Sequence, residues 1–263
     1  MEKRLVELTH KHKLSHLGSC LTALPILKHI YSTKNSDDIV VLSAGHAGLA
    51  LYVVLEAFEG HDAEDLLERH GIHPCKDIEH GIHVSTGSLG SGILVAVGYA
   101  LGDRTRDVYC VLSDGECAEG SVWEALACVQ RLNLTNLKVH VNINGYSAYD
   151  AVNTKRLKKQ LRSFCESVVL WDTKPPNVSF LHGLQGHYHV MKDEHKDELL
   201  HVLHEETVCS ASPYCNGAKP ANFFDYGRLG LWYLGRYTSR LSRALCKYWS
   251  GGTASHRCRR WTR

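Results

Sequence analysis

Short apolar runs alternate along the chain with segments whose apolar residues recur every three or four positions. The apolar runs predict strands, and they lie at residues 38–43, 108–112, 137–143 and 168–170. The spaced segments predict helices, and they lie at about residues 48–58, 63–70, 85–101, 118–132, 151–164 and 194–205. Strands this apolar are typical of parallel sheets that are buried on both faces. We therefore expect an α/β domain whose parallel sheet has helices on both faces.

A helical stretch precedes these elements. In residues 1–33, Leu5, Leu8 and His12 share one stripe, and a second apolar segment follows at residues 21–31. The Leu-Gly-Ser run at residues 17–19 separates the two segments. We expect two helices with the break at that point.

One unit of strand, helix and strand, residues 107–146, carries polar residues suited to ligand binding. Its first strand ends at Ser113-Asp114-Gly115, and its second strand ends at Asn144. A right-handed crossover places successive parallel strands side by side. Asp114 and Asn144 are therefore expected at one edge of the sheet, where open α/β folds bind ligands.

The residue types at this edge allow two interpretations. A carboxylate, an amide oxygen and a backbone carbonyl are hard ligands suited to magnesium or calcium, and Gly115 adds a backbone N–H that could approach a phosphate. Asp-Gly and Asn-Gly are also common turn pairs, so the same residues could form two plain turns. The pattern by itself leaves both interpretations open.

Composition and charge divide the chain. A length of 263 residues with 44% hydrophobic content allows one large α/β domain or two small ones. Residues 207–263 hold ten Lys or Arg and one acid, a balance of +9, which leaves −7 for residues 1–206 because the net charge is +2. We predict a domain at residues 1–206 and a basic tail of uncertain order at residues 207–263. The tail could be a divergent extra segment, a basic patch for an acidic partner, or translation of a stretch never selected as protein.

The sequence also bears on location and partners. The N-terminus lacks the apolar core of a signal peptide, and no apolar run reaches the roughly 20 residues that span a bilayer. We expect a cytoplasmic protein with no membrane contact. The ten cysteines are scattered without a Cys-x-x-Cys pair, which favours free thiols over disulfides or zinc. No RNA- or DNA-binding motif is present, so we do not expect a nucleic-acid partner.

The region around Asp114 resembles a known cofactor motif. An Asp-Gly pair followed about thirty residues later by an Asn, across strand, helix and strand, resembles the thiamine-diphosphate-binding motif, whose Asp and Asn hold the metal that grips the diphosphate. The local sequence SDGECAEGSVWEALA is similar to the transketolase family. The chain departs from the family at Ser113, where Gly is usual.

Three histidine segments fit the same family in the same order. The segment SHLGS resembles the one whose His reaches the thiazolium and the substrate, which nominates His16. The segment LSAGHA resembles the one that holds a His close to cofactor and substrate, which nominates His46. The segment GIHP resembles the Gly-His-Pro turn, which nominates His73. Zinc is the less favoured interpretation of the last segment, because the histidines around it lack the spacing of a zinc site.

A glycine-rich segment supplies further candidates. The run TGSLGSG resembles the loop that packs against the aminopyrimidine end of the cofactor, which nominates Gly87 and Leu89. Its spacing is not that of a dinucleotide fingerprint, so a nicotinamide-binding domain is not expected. Nearer the C-terminus, FLHGLQGH resembles the last Gly-His turn of the family.

The resemblance implies a complete set of roles. It implies thiamine diphosphate with Mg²⁺ or Ca²⁺ as cofactor, and transfer of a two-carbon ketol unit from a ketose to an aldose. The implied metal ligands are Asp114, Asn144 and the carbonyl of Tyr146; the implied cofactor-binding residues are Gly87, Leu89, Gly115 and Glu119; the implied catalytic residues are His16, His46 and His73.

The resemblance also implies a partner. The catalytic centre of a transketolase lies between two domains, and the second supplies a glutamate that protonates the aminopyrimidine. We expect a separate C-terminal transketolase-like subunit that carries this glutamate, in a two-fold symmetric homo- or hetero-oligomer acting on sugars or sugar phosphates.

The fit to the family weakens after Asn144, which keeps two alternatives open. The family usually has Asp where Tyr188 stands, and its Lys-Gly-x-Gly closing turn is not found after residue 206. The chain could belong to another thiamine-diphosphate enzyme as one of its subunits, because the metal motif is shared. It could also be a degenerate homologue that binds a partner but not the cofactor.

Overall fold

The centre of the computed structural model is a sheet of four parallel strands in the order β1-β2-β3-β4. The structure describes residues 1–148 and 150–211, with side chains in this range up to residue 205. The strands are β1 Ile39–Leu42, β2 Val108–Ser113, β3 Leu137–Ile143 and β4 Val169–Asp172. Residues 212–263, nearly all of the predicted tail, lie outside the described part of the chain.

Helices connect and cover the strands. They are α1 Glu2–Lys11, α2 Leu17–Thr33, α3 Gly48–Glu59, α4 Ala63–His70, α5 Ser91–Gly102, α6 Gly120–Arg131, α7 Thr154–Phe164, α8 Gly183–Tyr188 and α9 Asp193–Ala211. Short 3₁₀ turns lie at Gly45–Ala47, Ile78–His80, Gly115–Ala118 and Ser179–Leu181.

Alternate residues of the strands face two separate apolar cores. Val108, Cys110 and Leu112 of β2 pack with α5, α6 and α7 on one face of the sheet. Val111 of the same strand packs with α2 and α3 on the other face. Successive side chains of a strand point to opposite faces, so a strand covered on both sides must be apolar throughout. The predicted parallel sheet with helices on both faces is confirmed.

The break between the first two helices lies earlier than the sequence predicts. α1 ends at Lys11 and α2 begins at Leu17, so the predicted break at residues 17–19 is wrong and these residues form the first turn of α2. The chain turns through Lys13 and His16, whose φ angles are 54° and 66°. Left-handed backbone is expected at glycine, and here it occurs at two other residues, so Gly18 gave a misleading signal.

Other element bounds differ less from expectation. β3 has the predicted bounds, whereas α6 begins only at Gly120, after the 3₁₀ turn Gly115–Ala118. The helix predicted from residue 151 begins at Thr154, because the Asn153 side chain caps it by accepting a hydrogen bond from Arg156 N–H. α9 continues through residue 206, the predicted end of the domain, to Ala211.

Two observations bear on the expectations about membranes and cysteines. Within residues 1–148 and 150–211, no helix combines the length and apolar character that crossing a bilayer requires. The six cysteines whose side chains are described are free thiols. They include Cys110, which is buried as predicted, and Cys128, which is partly buried.

Candidate functional site

Asp114 follows β2 directly and carries a buried carboxylate. Its side chain is 2% exposed. Gly145 N–H donates a hydrogen bond to Asp114 Oδ2 (2.7 Å), and Gly115 N–H donates one to Oδ1 (3.1 Å). Burial raises the pKa of this carboxyl group to about 6, against the opposing effect of the backbone hydrogen bonds. The bond from Gly145 joins the end of β2 to the end of β3, as expected for a shared edge.

Asn144 follows β3, and both ends of its side-chain amide are held. Asn144 Oδ1 accepts a hydrogen bond from Tyr146 N–H (3.0 Å), and its Nδ2 donates to Thr22 Oγ1 (3.3 Å). Thr22 is buried on α2 and also accepts a hydrogen bond from Asn142 Nδ2 (3.0 Å). These bonds define which end of the Asn144 amide is the oxygen.

The donor set at this edge fits a hard cation. The Tyr146 carbonyl oxygen lies 3.7 Å from the position that a Cβ on Gly115 would occupy, which brings it beside the Asp-Gly turn. Among the described residues, no Lys, Arg or His side chain forms an ion pair with Asp114, whose hydrogen-bond donors are backbone N–H groups. A buried carboxylate without a cationic partner is costly, and a bound divalent metal removes that cost. The residues present therefore fit the metal and diphosphate that the sequence motif implies.

Imidazole rings gather beside the N-terminus of α2. The ring centroids of His16 and His46 are 5.6 Å apart. His187, on α8, lies 4.4 Å from His16 and 5.5 Å from His46. The His16 N–H donates a hydrogen bond to the His187 carbonyl (3.0 Å), which holds the start of α2 against α8. The Tyr188 ring also contacts this group, 5.6 Å from His16.

His73 joins the same group from the loop after α4. A charge on His73 would lower the pKa of both His16 and His46. The His73 ring lies against Gly87, where a Cβ would come within 3.0 Å of His73 Cδ2. The structure thus brings together the three histidines and Gly87.

Burial keeps the imidazoles of His16, His46 and His187 neutral. Burial, with a smaller contribution from neighbouring imidazoles, lowers the pKa of His16 to about 4 and that of His46 to about 3. Burial also lowers the pKa of His187. The neutral state expected for His46 is therefore present, although burial rather than the helix dipole is the main cause. His16 Nδ1 and Thr86 Oγ1 are buried without a hydrogen-bond partner, which leaves two polar atoms for a ligand to satisfy.

The glycine-rich segment connects the histidine group to α5. Leu89 is partly buried there, next to Gly90. Glu119 is exposed, and its Cβ lies 2.9 Å from the position that a Cβ on Gly90 would occupy. Glu119 therefore reaches the same loop as Gly87 and Leu89, with its carboxylate toward solvent.

Three residues of this region were not predicted from the sequence. They are Thr22, Glu116 and His187. The FLHGLQGH segment that contains His187 was matched to a family turn but given no role. Thr22 hydrogen-bonds Asn144, 122 positions away, and Glu116 hydrogen-bonds Ser43, 73 positions away. No local pattern signals contacts at such separations.

A parallel sheet with polar side chains at the carboxyl ends of its strands is typical of an α/β cofactor-binding domain. Comparison with known proteins identifies the family: residues 10–164 match the family described as "Transketolase, thiamine diphosphate binding domain". The chain belongs to this family, as the motifs around Asp114 indicated.

Curated relatives are similar over part of their length. The chain is 35% identical over 162 residues to one subunit of the apulose-4-phosphate transketolase of Phocaeicola vulgatus, which covers 54% of this chain and 57% of that protein. It is 35% identical over 179 residues to transketolase-like protein 2 of Bos taurus, covering 60% of this chain and 28% of that protein. The chain is 28% identical over 245 residues to the subunit of the same name from Actinobacillus succinogenes, and it covers 88% of that protein.

Solved transketolases share the fold. The chain superimposes on transketolase from Campylobacter jejuni with a TM-score of 0.56 and 18% identity, covering 81% of this chain and 47% of that one. A transketolase variant from Pichia stipitis gives a TM-score of 0.59 at 20% identity, covering 75% and 39%.

Proposed function

We propose that this chain binds thiamine diphosphate with Mg²⁺ or Ca²⁺ and serves as the diphosphate-binding subunit of a ketol-transferring enzyme. The observation that carries the proposal is the buried Asp114 carboxylate, which lacks a cationic side-chain partner among the described residues and lies at the same strand edge as Asn144. The metal ion that holds the diphosphate would supply the positive charge that this carboxylate needs.

The metal-binding part of the proposal assigns three oxygen ligands. The Asp114 carboxylate, Asn144 Oδ1 and the Tyr146 carbonyl would hold the cation, and the remaining positions suit diphosphate oxygens and water. The Gly115 backbone N–H would lie beside the diphosphate. The absent side chain makes room for Ser147, whose Cα lies 3.1 Å from the position that a Cβ on Gly115 would occupy. Thr22 keeps the Asn144 amide in one orientation through its hydrogen bond to Nδ2.

The histidines would handle protons and substrate hydroxyls. When bound, thiamine diphosphate supplies the carbanion centre that takes up and releases a two-carbon unit. Imidazole nitrogens can accept and donate hydrogen bonds and transfer protons, so His16, His46 and His73 suit hydroxyl binding and proton transfer. Gly87 and Leu89 would contact the aminopyrimidine end, and Glu119 would support the same loop.

A partner subunit is part of the proposal. Two relatives are each named as one subunit of an apulose-4-phosphate transketolase, and a name of that kind implies at least one companion subunit. We propose that the companion supplies the glutamate that protonates the aminopyrimidine, in a two-fold assembly whose substrates are sugars or sugar phosphates.

A noncatalytic homologue is the second candidate, and one observation favours it. Tyr188 stands where the family usually has Asp, so the group of histidines lacks that carboxylate. The Tyr188 ring lies against His16 and His187 and is 54% exposed. Ser113, the other departure near the site, supports this candidate less. Its side chain is buried against Glu116 and so does not crowd a diphosphate.

An activity assay separates the candidates. The chain would be incubated with a ketose donor, an aldose acceptor, thiamine diphosphate and Mg²⁺, alone and with a C-terminal transketolase-like subunit. We expect turnover of about 1 per second or more only in the presence of the partner, and none when the chain carries Asp114→Ala. Turnover by the chain alone would overturn the split-subunit proposal. Absence of turnover with a partner that forms a stable complex would favour the noncatalytic homologue.

A further inference from the structure

Glu116 is a fully buried carboxylate in the 3₁₀ turn that follows Asp114. Its Oε1 accepts hydrogen bonds from Ser43 Oγ (2.7 Å) and from Gly90 N–H (3.0 Å). Its Oε2 accepts hydrogen bonds from Ser113 N–H (2.9 Å) and Ser113 Oγ (3.3 Å). Four donors therefore satisfy one carboxylate that has no access to water.

These donors come from three separate segments of the site. Ser43 directly follows β1 and precedes His46 by three residues, Ser113 ends β2 just before Asp114, and Gly90 lies in the glycine-rich segment immediately before α5. The Gly90 carbonyl is held as well, because it accepts a hydrogen bond from Ser121 Oγ (3.0 Å). Glu116 is thus the shared acceptor that joins the histidine side of the site, the metal side and the glycine-rich loop.

Gly90 needs this support because its conformation has little tolerance. Its φ is +72°, and a Cβ would lie 2.5 Å from Ser121 Oγ. The loop can therefore adopt this conformation only with glycine at position 90 and with the Gly90 N–H hydrogen-bonded inside the protein. A shift of Gly90 would carry Leu89 and Gly87 with it.

We propose that Glu116 is a positioning residue that holds the glycine-rich loop and the Asp-Gly turn in the arrangement that binds the cofactor. The proposal rests on the proposed function, since it concerns the same site. It assigns Glu116 no contact with cofactor or substrate.

The hydrogen bonds also explain why a carboxylate is required. Each oxygen of Glu116 accepts from one backbone N–H, at Gly90 or at Ser113, and neither donor can be reversed. In Glu116→Gln the side chain has the same shape but one oxygen becomes an NH₂ donor. Whichever way the amide lies, one backbone N–H then faces another donor and is left unsatisfied.

Ser113 belongs to the same unit. Its hydroxyl donates to Glu116 Oε2 and accepts from the Glu116 N–H (3.3 Å), so the residue that replaces the usual family Gly adds one contact to this carboxylate and one to the Glu116 backbone. Its backbone N–H, which glycine would also provide, makes the shorter bond. Ser113→Ala should therefore weaken the unit less than Glu116→Gln does.

The first test uses the protein without cofactor. We expect amide hydrogen exchange at Gly90 or Ser113 to be at least about tenfold faster in Glu116→Gln than in the wild type, and nearly unchanged in Glu124→Gln, an exposed change on α6. Unchanged exchange at both amides would overturn the proposal. If Glu116→Gln does not fold, the wild type decides: Gly90 should exchange at least about tenfold more slowly than Gly87, and equal rates would overturn the proposal.

The second test measures thiamine diphosphate affinity in the presence of Mg²⁺. We expect folded Glu116→Gln to bind at least about tenfold more weakly, Ser113→Ala to lose less affinity than Glu116→Gln, and the control Glu124→Gln to stay within about threefold of the wild type. Faster exchange with unchanged affinity would overturn the positioning role, since Glu116 would then only stabilise the fold. A wild type that binds no cofactor would instead overturn the proposed function, and the exchange result would show separately whether Glu116 holds the loop.

Discussion

At the residue scale, burial shifts the pKa of several side chains of this domain and so sets their ionisation states. His140 on β3 is an example outside the site. It is 5% exposed, and its Nδ1 accepts a hydrogen bond from Trp171 Nε1–H (3.0 Å). Burial, and then the neighbouring His29, lower the pKa of His140 to about 4. A proton on Nδ1 would remove the hydrogen bond from Trp171, so the folded protein needs this imidazole to be neutral.

The lowered pKa of His140 makes the free energy of unfolding depend on pH. An unfolded histidine has a pKa of about 6.5, so between about pH 6.5 and pH 4 the unfolded chain binds the extra proton. The free energy of unfolding therefore falls as the pH is lowered through this window, by up to about 1.4 kcal/mol per pH unit for one such group. His16 and His46 act in the same direction. Asp114, whose pKa is raised, acts in the opposite direction, so its stabilising effect is lost as the pH rises toward about 6.

Comparison of variants isolates the contribution of His140. Chemical denaturation at pH 7 and pH 5 should show a loss of stability that is smaller in His140→Gln than in the wild type by about 1–2 kcal/mol. His204→Gln, an exposed change on α9, should behave like the wild type. Equal losses in all three proteins would show that His140 is not held neutral by the fold.

A second residue-scale prediction concerns two buried threonines. Thr22 Oγ1 accepts hydrogen bonds from Asn142 and Asn144, whereas Thr9 Oγ1 is buried without a partner. Thr22→Val should lower the free energy of unfolding by about 1–3 kcal/mol, because it leaves buried amide donors unpaired. Thr9→Val should be neutral or stabilising, because it removes an unsatisfied hydroxyl. Urea denaturation of both variants checks this, and equal effects would contradict the hydrogen-bond assignment.

The residues that the sequence identified share a property. Asp114, Asn144 and the three histidines lie at strand ends or in turns whose neighbouring residues form recognisable motifs. Glu116 and Thr22 are different, because each acts through partners far along the chain and looks ordinary in its own segment. Sequence patterns therefore identified residues that meet at this edge of the sheet but not the side chains that hold its parts together.

At the element scale, the contact between α5 and β1 sets the position of the glycine-rich loop. Gly92, in the first turn of α5, lies so close to β1 that a Cβ would come 2.7 Å from Ser43 Cα. Gly98 is in the same helix, and a Cβ there would meet nothing within 4 Å. The two glycines therefore form a matched pair.

Alanine at each position should have opposite effects. Gly92→Ala should lower the free energy of unfolding by more than about 1 kcal/mol, because a backbone atom must move to make room. Gly98→Ala should raise it by about 0.5–1 kcal/mol through helix propensity alone. Thermal denaturation of the two variants measures both effects. A stabilised Gly92→Ala would mean that α5 does not pack this closely on β1.

The same scale shows why elements were easier to predict than their connections. The bounds of β3 match expectation because apolar residues recur at every second position of the strand. The bounds of α4 match because a helix buried on one face has apolar residues at regular spacing. The break before α2 was misplaced because the conformations of Lys13 and His16 depend on tertiary contacts, including the bond from His16 N–H to the His187 carbonyl.

At the scale of the whole molecule, the fold and the family agree. The two apolar cores on either side of the sheet lie within residues 5–199. The chain spans 57% of the first bacterial relative and 28% of the first vertebrate one. We propose that this domain by itself holds the diphosphate end of the cofactor through a metal at Asp114.

Titration calorimetry tests that claim most directly. Thiamine diphosphate would be added to the wild type with and without Mg²⁺, and to Asp114→Ala and Asp65→Ala with Mg²⁺; Asp65 is an exposed residue on α4 that pairs with Arg69. We predict Mg²⁺-dependent binding to the wild type and to Asp65→Ala, and no measurable binding to Asp114→Ala while its circular dichroism spectrum is unchanged. Binding to Asp114→Ala as tight as that of the wild type, or no heat with the wild type itself, would contradict the account.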